Sequence, residues 1–437
     1  MKVLMFGWEF PPHISGGLGT ASYGLTKGLA HFDDVSVLFV VPKAYGDEDR
    51  TVVDNIIGAG DVPITRKQLK FEDLQRKVDY FEVDSSLIPY VGPEEFYKLT
   101  QQKVKSRSRF IQTDSEGRLP FTGKYGSDLL QEIARYAVVA DVIAQENDFD
   151  LIHAHDWLAY PAGIAAKKAS GKPLVVHVHA TDFDRSGGSV NPNVYAIERE
   201  GMEAADKVIT VSNLTRNIVI EKYGIDPAKV VTVYNAVEPV ERKPRLGINK
   251  GVDEKIVTFL GRITMQKGPE YFIEAAHQVL RRMDNVRFVM AGSGDMMVKM
   301  IKRSAQLGIT DRFHFTGFLK GDDVFDMFRL SDVYVMPSVS EPFGISPLEA
   351  MMSDVPVIIS KQSGVAEILT HAIKVDFWDI NAMADAIYSI LKYPALPKMF
   401  KKHGRIEVDH LQWRHSAAHV RQVYLSALGL PNSNSNA

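Results

Sequence analysis

The chain contains 437 residues, too many for one ordinary hydrophobic core, so two domains are expected. Hydrophobic residues make up 45% and charged residues 24%, as in globular proteins, and the net charge of −3 argues against nucleic acid or an acidic membrane face as a bulk partner. With no cysteine, disulfides and thiolate metal sites are excluded. No apolar run approaches about 18 residues and no secretory leader is visible, so we expect a cytoplasmic protein without stable membrane insertion.

The first predicted strand spans residues 2–7, and its loop leads to Gly16 and Gly17 at the start of a helix that ends near Ala30. Glycines between a strand and a helix N-terminus let a phosphate group approach the main chain closely. Their spacing is not the Gly-x-Gly-x-x-Gly fingerprint of dinucleotide-binding domains, which argues against a dinucleotide-dependent oxidoreductase. A second strand is predicted at 35–41.

Residues 44–123 interrupt this pattern, because they are charged and irregular and contain one predicted strand, at 78–83. We expect an elaborated insertion that packs beside the first sheet. Its basic side chains form either a solvated charged face, which is the favoured interpretation, or a contact surface for an acceptor. These side chains are Lys103, Lys105, Arg107 and Arg109.

Short apolar strands then alternate with helices, and Ser212 is placed to cap the helix that ends at Tyr223. Strands are predicted at 150–153, 173–179, 207–211 and 230–234, and the preceding helices at 127–145, 158–168 and 194–204. This alternation is typical of a parallel sheet that is covered by helices on both faces. Such sheets bind ligands at the carboxyl ends of their strands.

A polar linker is predicted at 239–251, before a second series of the same kind. Its strands are predicted at 255–260, 286–291, 313–318, 333–336, 355–359 and 373–376, and its helices at 270–282, 297–307, 324–328 and 365–369. Further helices reach about Leu428; the last, at 411–430, is amphipathic and is expected to cross back to the first domain, before a disordered tail at 431–437. The predicted fold class is α/β, with two Rossmann-like doubly wound domains, at 1–240 and 252–410, facing a central cleft.

Two cations flank the loop after the strand at 255–260. Arg262 could grip a diphosphate in bidentate fashion, and Lys267 could hold it as a point charge. Together they would neutralise a departing diphosphate as its bond to a sugar breaks. The alternative is two ordinary surface charges, and it weakens because a pair of glutamates follows three strands later in the same domain.

That pair is Glu341, on the loop leaving the strand at 333–336, and Glu349, about one turn into the next helix. The main-chain N–H groups of Phe343, Gly344 and Ile345 lie between them, at a helix N-terminus that attracts anions. N–H donors would suit a diphosphate, and carboxylates would accept hydrogen bonds from ribose and hexose hydroxyls. The segment is therefore either a nucleotide-sugar site or a strand–helix turn with two solvated glutamates.

Four motifs occur in order along the chain: the Gly16-Gly17 loop, His-Ala-His-Asp-Trp at 153–157, Gly-Arg-x4-Lys-Gly at 261–268, and Ser-Glu-Pro-Phe-Gly-x3-Leu-Glu-Ala at 340–350. Together they resemble the retaining GT-B glycosyltransferases, the group shared by glycogen synthases and sugar-nucleotide transferases of family four. The resemblance covers nearly the whole chain. It implies an acceptor-side first domain and a donor-binding second domain, with a nucleotide-diphosphate sugar and an oligo- or polysaccharide acceptor as substrates and no metal or other cofactor.

The resemblance also implies roles for the matching residues of the second domain. Arg262 and Lys267 would hold the donor diphosphate, Glu341 would lie against the transferred sugar, and Glu349 would bind the nucleotide ribose. Donor binding is assigned in addition to Phe343, Gly344, Ile345, Gly292 and Leu319.

In the first domain, the resemblance implies that the Gly16-Gly17 main chain approaches the phosphates. It also implies that His179 contacts the donor sugar and that Asp156 lies on a loop facing the acceptor. We expect at most one of His177 and His179 to point at the cleft, with the other in the core.

A metal site at His153, His155 and Asp156 is conceivable from the ligand types, but it ranks well below the sugar-site interpretation.

The sequence contains no convincing nucleophile for a double displacement. The resemblance favours transfer of a hexosyl unit, with glucosyl preferred, to an α-glucan, and the lack of a nucleophile favours a same-face step. Two alternatives stay open: transfer of another sugar to a small or lipid-linked acceptor, and a non-catalytic nucleotide-sugar-binding protein. Ile14 stands where bacterial glycogen synthases usually have lysine, and Ser363 replaces a usual glycine, so the donor base and the acceptor are left open.

Overall fold

The computed structural model describes residues 1–14, 16–64, 113–126, 128–238 and 253–431. They form two compact units: the first runs to Asn235 and resumes at Trp413, and the second runs from Ala236 to Gln412. Several predictions lie outside the described residues, namely the strand at 78–83, the four basic side chains at 103–109, the linker at 239–251, and the tail beyond residue 431.

The first unit is built on a parallel sheet in which β1 lies between β2 and β4. Its strands are β1 (Lys2–Phe6), β2 (Ser36–Val41), β3 (Asn55–Gly58), β4 (Leu151–His155), β5 (Leu174–Val178), β6 (Lys207–Thr210) and β7 (Val230–Thr232), in the spatial order β3-β2-β1-β4-β5-β6-β7. Its helices are α1 (Gly17–Leu29), α2 (Leu129–Glu146), α3 (Tyr160–Ser170), α4 (Asp182–Ser186), α5 (Pro192–Ala204), α6 (Asn213–Tyr223) and α13 (Trp413–Ala427), with 3-10 turns at Ala59–Asp61 and Pro227–Lys229.

The second unit repeats this plan, with β8 between β9 and β11. Its strands are β8 (Lys255–Leu260), β9 (Val286–Ala291), β10 (Phe313–Gly317), β11 (Val333–Met336), β12 (Val357–Ser360) and β13 (Ile373–Val375), in the spatial order β10-β9-β8-β11-β12-β13. Its helices are α7 (Pro269–Leu280), α8 (Met297–Gln306), α9 (Asp322–Leu330), α10 (Ser346–Met352), α11 (Ile380–Lys392) and α12 (Ala395–Asp409), with 3-10 turns at Met265–Lys267, Thr310–Arg312 and Gly364–Glu367.

These two sheets confirm the predicted fold class of doubly wound α/β units. Most strands are apolar on both faces because helices cover both faces; β4 and β5, for example, are buried along their whole length. Strand β3 falls inside the segment predicted to be irregular, and helix α4 was also missed. Both elements are short, and β3 lies at the sheet edge, where Asn55 is exposed, so neither has an apolar pattern long enough to identify.

The last helix, α13, packs on α1 of the first unit. Two glycines of α1 make room for it: a Cβ atom at Gly24 would lie 2.3 Å from the Trp413 ring, and one at Gly28 would lie 2.6 Å from the Trp413 carbonyl oxygen. At its surface, Arg421 Nε donates to both carboxylate oxygens of Asp34, at 2.9 and 3.1 Å. Across the described ranges, no helix combines the length and apolarity that a membrane crossing requires.

Candidate functional site

The site in the second unit lies where the winding of the sheet reverses, between β8 and β11. In open α/β sheets, ligands bind outside the carboxyl ends of the strands at such a switch point. The loop after β8 contains Arg262 and Lys267, and the loop after β11 contains Glu341. The sheet topology therefore brings residues that are 74 positions apart in sequence into contact.

Lys267 and Glu341 form an ion pair between the ammonium group and the Oε2 atom of the carboxylate. Ser338 Oγ donates a second hydrogen bond to the same oxygen at 3.2 Å. The Glu341 residue is only 7% exposed, so both partners are held in a partly desolvated environment. An ammonium group restrained in this way is a suitable binding group for a second anion that enters the same loops.

Gln266, which we did not single out from the sequence, fixes Arg262 to the loop after β11. Arg262 Nη2 donates to Gln266 Oε1 at 3.0 Å, and Gln266 Nε2 donates to the carbonyl oxygen of Ser340 at 3.1 Å. The main chain adds a third link, because Val339 N donates to Gln266 O at 2.8 Å. Gln266 is buried, and its role depends on contacts with residues that are distant in sequence.

The loop after β11 is attached on its other side to the segment after β12. Glu341 N donates to Gln362 O at 3.0 Å, Gly364 N donates to Glu341 O at 2.9 Å, and Val365 N donates to Phe343 O at 2.8 Å. Gly344 has a φ of 99°, in the region that favours glycine. Main-chain bonds on both sides thus fix the position of Glu341.

Glu349 is the fourth residue of α10, and it is partly buried. Its carboxylate has no hydrogen-bond or ion-pair partner among the described residues, and burial raises its pKa to about 7. Burial, followed by the negative charges of Glu341 and Glu349, raises the pKa of Tyr334, so both carboxylates lie near the same phenol. A partly buried carboxylate without a partner is an acceptor for hydroxyl groups of a ligand.

We predict that Glu349→Gln makes the protein more stable, and that the gain depends on pH. The Glu349 carboxyl keeps its proton up to about pH 7 in the folded state but loses it near pH 4.5 in the unfolded state. The stability of the wild type therefore falls as the pH rises from about 4.5 to about 7. Since each unit of pKa corresponds to about 1.4 kcal/mol, the gain should be about 2 kcal/mol larger at about pH 8 than at about pH 5.5. Urea unfolding at the two pH values measures this gain. The control is Glu270→Gln, whose side chain is 43% exposed and pairs with Lys299 at the surface. An equal gain at both pH values would contradict the burial of a titrating Glu349.

The other predicted donor residues of this unit have different environments. Gly292 has a φ of 137°, and a Cβ atom there would lie 1.8 Å from Gly261 O, so the chain itself requires this glycine. Leu319 is partly buried in the loop before α9. The N–H groups of Gly344 and Ile345 donate no hydrogen bond within the described ranges, so they could bind an anion. Because α10 contains only seven residues, its helix dipole is short and adds little to the attraction.

Gly16 and Gly17 begin α1 of the first unit. Gly16 has an extended φ of −166°, which any residue adopts, and no described heavy atom lies within 4 Å of a Cβ atom built at either position. Contacts within the described chain therefore do not explain why glycine stands at these two positions. A surface that a ligand approaches closely would explain it.

Asp156 follows β4 in a left-handed conformation, with a φ of 63°. Such strain in a residue other than glycine is common at functional sites. The side chain is buried, which raises its pKa to about 6, and Arg185 Nη1 lies 4.0 Å from its Oδ2 atom. Arg185 also pairs with the buried Asp182 and Glu198, so Asp156 belongs to a buried charge cluster that the sequence did not suggest.

The expectation that at most one of His177 and His179 points at the cleft assumed that the two side chains alternate along their strand, and that assumption is wrong. Residues two apart in a strand point to the same face, and the two rings stack with their centroids 4.4 Å apart. His153 and His155 of the neighbouring strand are stacked in the same way, at 4.3 Å. His155 Nδ1 and His179 Nε2 share a hydrogen bond of 2.9 Å, so His179 is the outermost member of one four-ring group.

Comparison with known proteins gives two matching family models. Residues 242–407 match the model for glycosyl transferases group 1, and residues 112–241 match the model for glycosyltransferase family 4. The boundary between the two matches falls close to the boundary between the two structural units.

Individual relatives extend over most of the chain. An uncharacterized glycosyltransferase of Methanocaldococcus jannaschii is 29% identical over 386 residues, which cover 85% of this chain and 84% of the relative. A glycogen synthase of Mycobacterium tuberculosis is 23% identical over 441 residues, covering 98% and 95%. Sucrose-phosphate synthase from Thermosynechococcus elongatus has the same fold, with a TM-score of 0.70 at 18% identity and coverage of 98% and 99%.

Proposed function

Because this chain belongs to the glycosyltransferases of the GT-B fold, we propose that it is a retaining hexosyltransferase that moves a glucosyl unit from a nucleotide-diphosphate glucose to a growing α-glucan. One observation carries the proposal: the switch point of the second sheet gathers two cations from the loop after β8, one carboxylate from the loop after β11 and one from α10. A nucleotide-sugar needs this combination, since its diphosphate is anionic and its sugars are rich in hydroxyl groups. The similarity to a protein named as a glycogen synthase supports the choice of α-glucan.

In the proposed donor complex, Lys267 leaves its exclusive pairing with Glu341 and is shared with the diphosphate. Arg262 binds the same group, held in place by Gln266. Glu341 then accepts hydrogen bonds from the transferred sugar, and Glu349, which has no partner among the described residues, accepts them from the ribose. The roles implied for Gly16, Gly17, His179 and Asp156 on the phosphates, the sugar and the acceptor stay predictions.

The proposed transfer is a same-face step. The bond between the anomeric carbon and the diphosphate oxygen breaks, and the acceptor hydroxyl oxygen bonds to that carbon on the face that the diphosphate leaves. The acceptor proton passes to the departing phosphate oxygen, so charge and atoms balance without an enzyme nucleophile. Arg262 and Lys267 stabilise the negative charge as it grows on the diphosphate. No step of this scheme calls for a metal.

The alternative within the same class is transfer of another sugar to a small or lipid-linked acceptor. It is favoured by the family 4 match over residues 112–241. The two functions predict different products from the same enzyme, because only the first elongates a glucan primer.

Product analysis with a panel of nucleotide-sugars distinguishes these functions. We expect nucleotide release and primer elongation with one glucosyl donor, and digestion of the new linkages by an α-specific glucosidase. Release from a different sugar, without elongation, would favour the alternative. Binding of a nucleotide-sugar without turnover, for any donor and acceptor tested, would indicate a non-catalytic binding protein.

A further inference from the structure

The four-histidine group lies on two adjacent parallel strands of the first unit. His153 and His155 lie on one face of β4, and the register places His155 opposite His177 of β5. The rings of His155 and His177 have their centroids 5.4 Å apart, as do those of His153 and His177. Two residues at i and i+2 of one strand and one from its neighbour thus bring three imidazoles together.

Several nitrogens of this group are buried without a hydrogen-bond partner. His153, His155 and His177 are at most 2% exposed. Within the described ranges, the Nε2 atoms of His153 and His155 and both ring nitrogens of His177 make no hydrogen bond. A buried polar atom without a partner destabilises the folded state, so several such atoms at one place point to a ligand for them.

In His153 and His155, the other ring nitrogen, Nδ1, has a hydrogen-bond partner. These hydrogen bonds favour a lone pair on the unpartnered Nε2 atom of each ring. His153 Nδ1 lies 2.5 Å from the Tyr424 hydroxyl oxygen, and His155 Nδ1 lies 2.9 Å from His179 Nε2. If each Nδ1–H donates to its partner, the Nε2 atoms of His153 and His155 both carry free lone pairs. An outer hydrogen bond of this kind is typical of histidines that bind metals.

We propose that His153, His155 and His177 form a binding site for a divalent transition-metal ion of the zinc type. Their candidate ligand atoms all lie within 4.8 Å of one another. In a tetrahedral site, two nitrogens that each bind Zn²⁺ at about 2.1 Å lie about 3.4 Å apart. The ligand atoms therefore need to approach by up to about 1.4 Å, and the stacked rings need to turn so that their lone pairs point at one ion. Neutral imidazole suits zinc, copper and nickel, and three histidines leave a fourth position for water.

Two further features define this site. Asp156, the third ligand considered from the sequence, is not part of it, because its carboxylate lies beside Arg185. All three histidines belong to the first unit, so a bound ion is expected to stabilise that unit.

Elemental analysis and Zn²⁺ titration of the full chain test this proposal. We expect one equivalent of zinc per chain after loading and dialysis, and tetrahedral absorption bands when Co²⁺ replaces it. His177→Leu should lose the bound metal, and Tyr424→Phe, which removes only the outer hydrogen bond, should weaken binding about 10- to 100-fold. The exposed His403→Gln should bind like the wild type and controls for surface histidines.

The wild-type measurements keep the test valid if His177→Leu fails to fold. If the wild type takes up neither Zn²⁺ nor Co²⁺, even on incubation close to its melting temperature, the histidines are a stacked apolar core and the proposal is wrong. Uptake that is unchanged in both His177→Leu and Tyr424→Phe would place the metal elsewhere and would also overturn it. Neither outcome depends on glycosyltransferase activity, so the proposed function is tested independently.

Discussion

Replacing Lys267 by alanine is expected to lower kcat by about 10²- to 10³-fold, the usual effect of removing one group that stabilises charge in a transition state. Lys267 is proposed to face the diphosphate as the glycosidic bond breaks, when negative charge on the leaving group is greatest. The change in KM should be smaller, because the interaction strengthens as the reaction proceeds. Arg262→Ala should lower kcat by a similar factor, since the guanidinium serves the same diphosphate.

Lys361→Ala is the matched control for this experiment. Lys361 also pairs with a carboxylate of the second unit, Asp376, at 2.9 Å, but its side chain is 53% exposed and it lies in the loop after β12. Near-normal turnover is expected for this variant. Because Lys267→Ala leaves Glu341 without its cation, melting temperatures must accompany the kinetics. Full activity in both Lys267→Ala and Arg262→Ala would refute the assigned donor site.

Gly268→Ala is expected to reduce both stability and activity. Gly268 has a φ of 67°, and a Cβ atom there would lie 2.1 Å from the carbonyl oxygen of Pro337. The left-handed conformation costs about 1–2 kcal/mol for alanine, and relieving the clash adds about 1–3 kcal/mol. The clash is relieved by separating the loop after β8 from the loop after β11, which moves Lys267 away from Glu341. A displacement of 1 Å at a reacting group can lower kcat by about 10²-fold.

Gly308→Ala distinguishes the effect of the left-handed conformation from the effect of the clash with Pro337. Gly308 has a φ of 68°, almost the same as Gly268, but nothing lies within 4 Å of a Cβ atom built there. It should therefore show only the conformational cost of about 1–2 kcal/mol and retain its kcat. Denaturant unfolding and steady-state kinetics of both variants measure the difference. If the two variants behave alike, the close approach of Gly268 to Pro337 has no functional importance.

The sequence was most informative where a strand is a short apolar run with clear ends. The predicted limits of β8, β9 and β11 are those of the structure, because polar or glycine-containing segments bound each run. The order of the motifs along the chain identified the family. Since Arg262, Lys267 and Glu341 each follow a strand of one parallel sheet, the sequence predicted that they lie at the same edge of that sheet, whereas the strand order that makes β8 and β11 neighbours came from the structure.

Contacts between distant residues were not accessible from the sequence. Gln266 occupies an unspecified position of its motif, and its importance emerges only when the loop after β11 lies beside it. The cluster of Arg185 with Asp156 and Glu198 depends in the same way on α4 and α5 lying beside the residue that follows β4. The four stacked histidines require the register of β4 against β5, which no local pattern specifies.

Calorimetric titration with nucleoside diphosphates tests the central claim most directly, because it needs neither the sugar nor the acceptor to be known. We predict that one of ADP, UDP and GDP binds the wild type with one site per chain. The same ligand should bind Lys267→Ala about 10- to 100-fold more weakly, as expected for a lost hydrogen bond between charged groups, and should bind Lys361→Ala normally. Failure of all three to bind the wild type, or equal affinity for Lys267→Ala, would contradict the assignment of the switch point between β8 and β11 as the donor site.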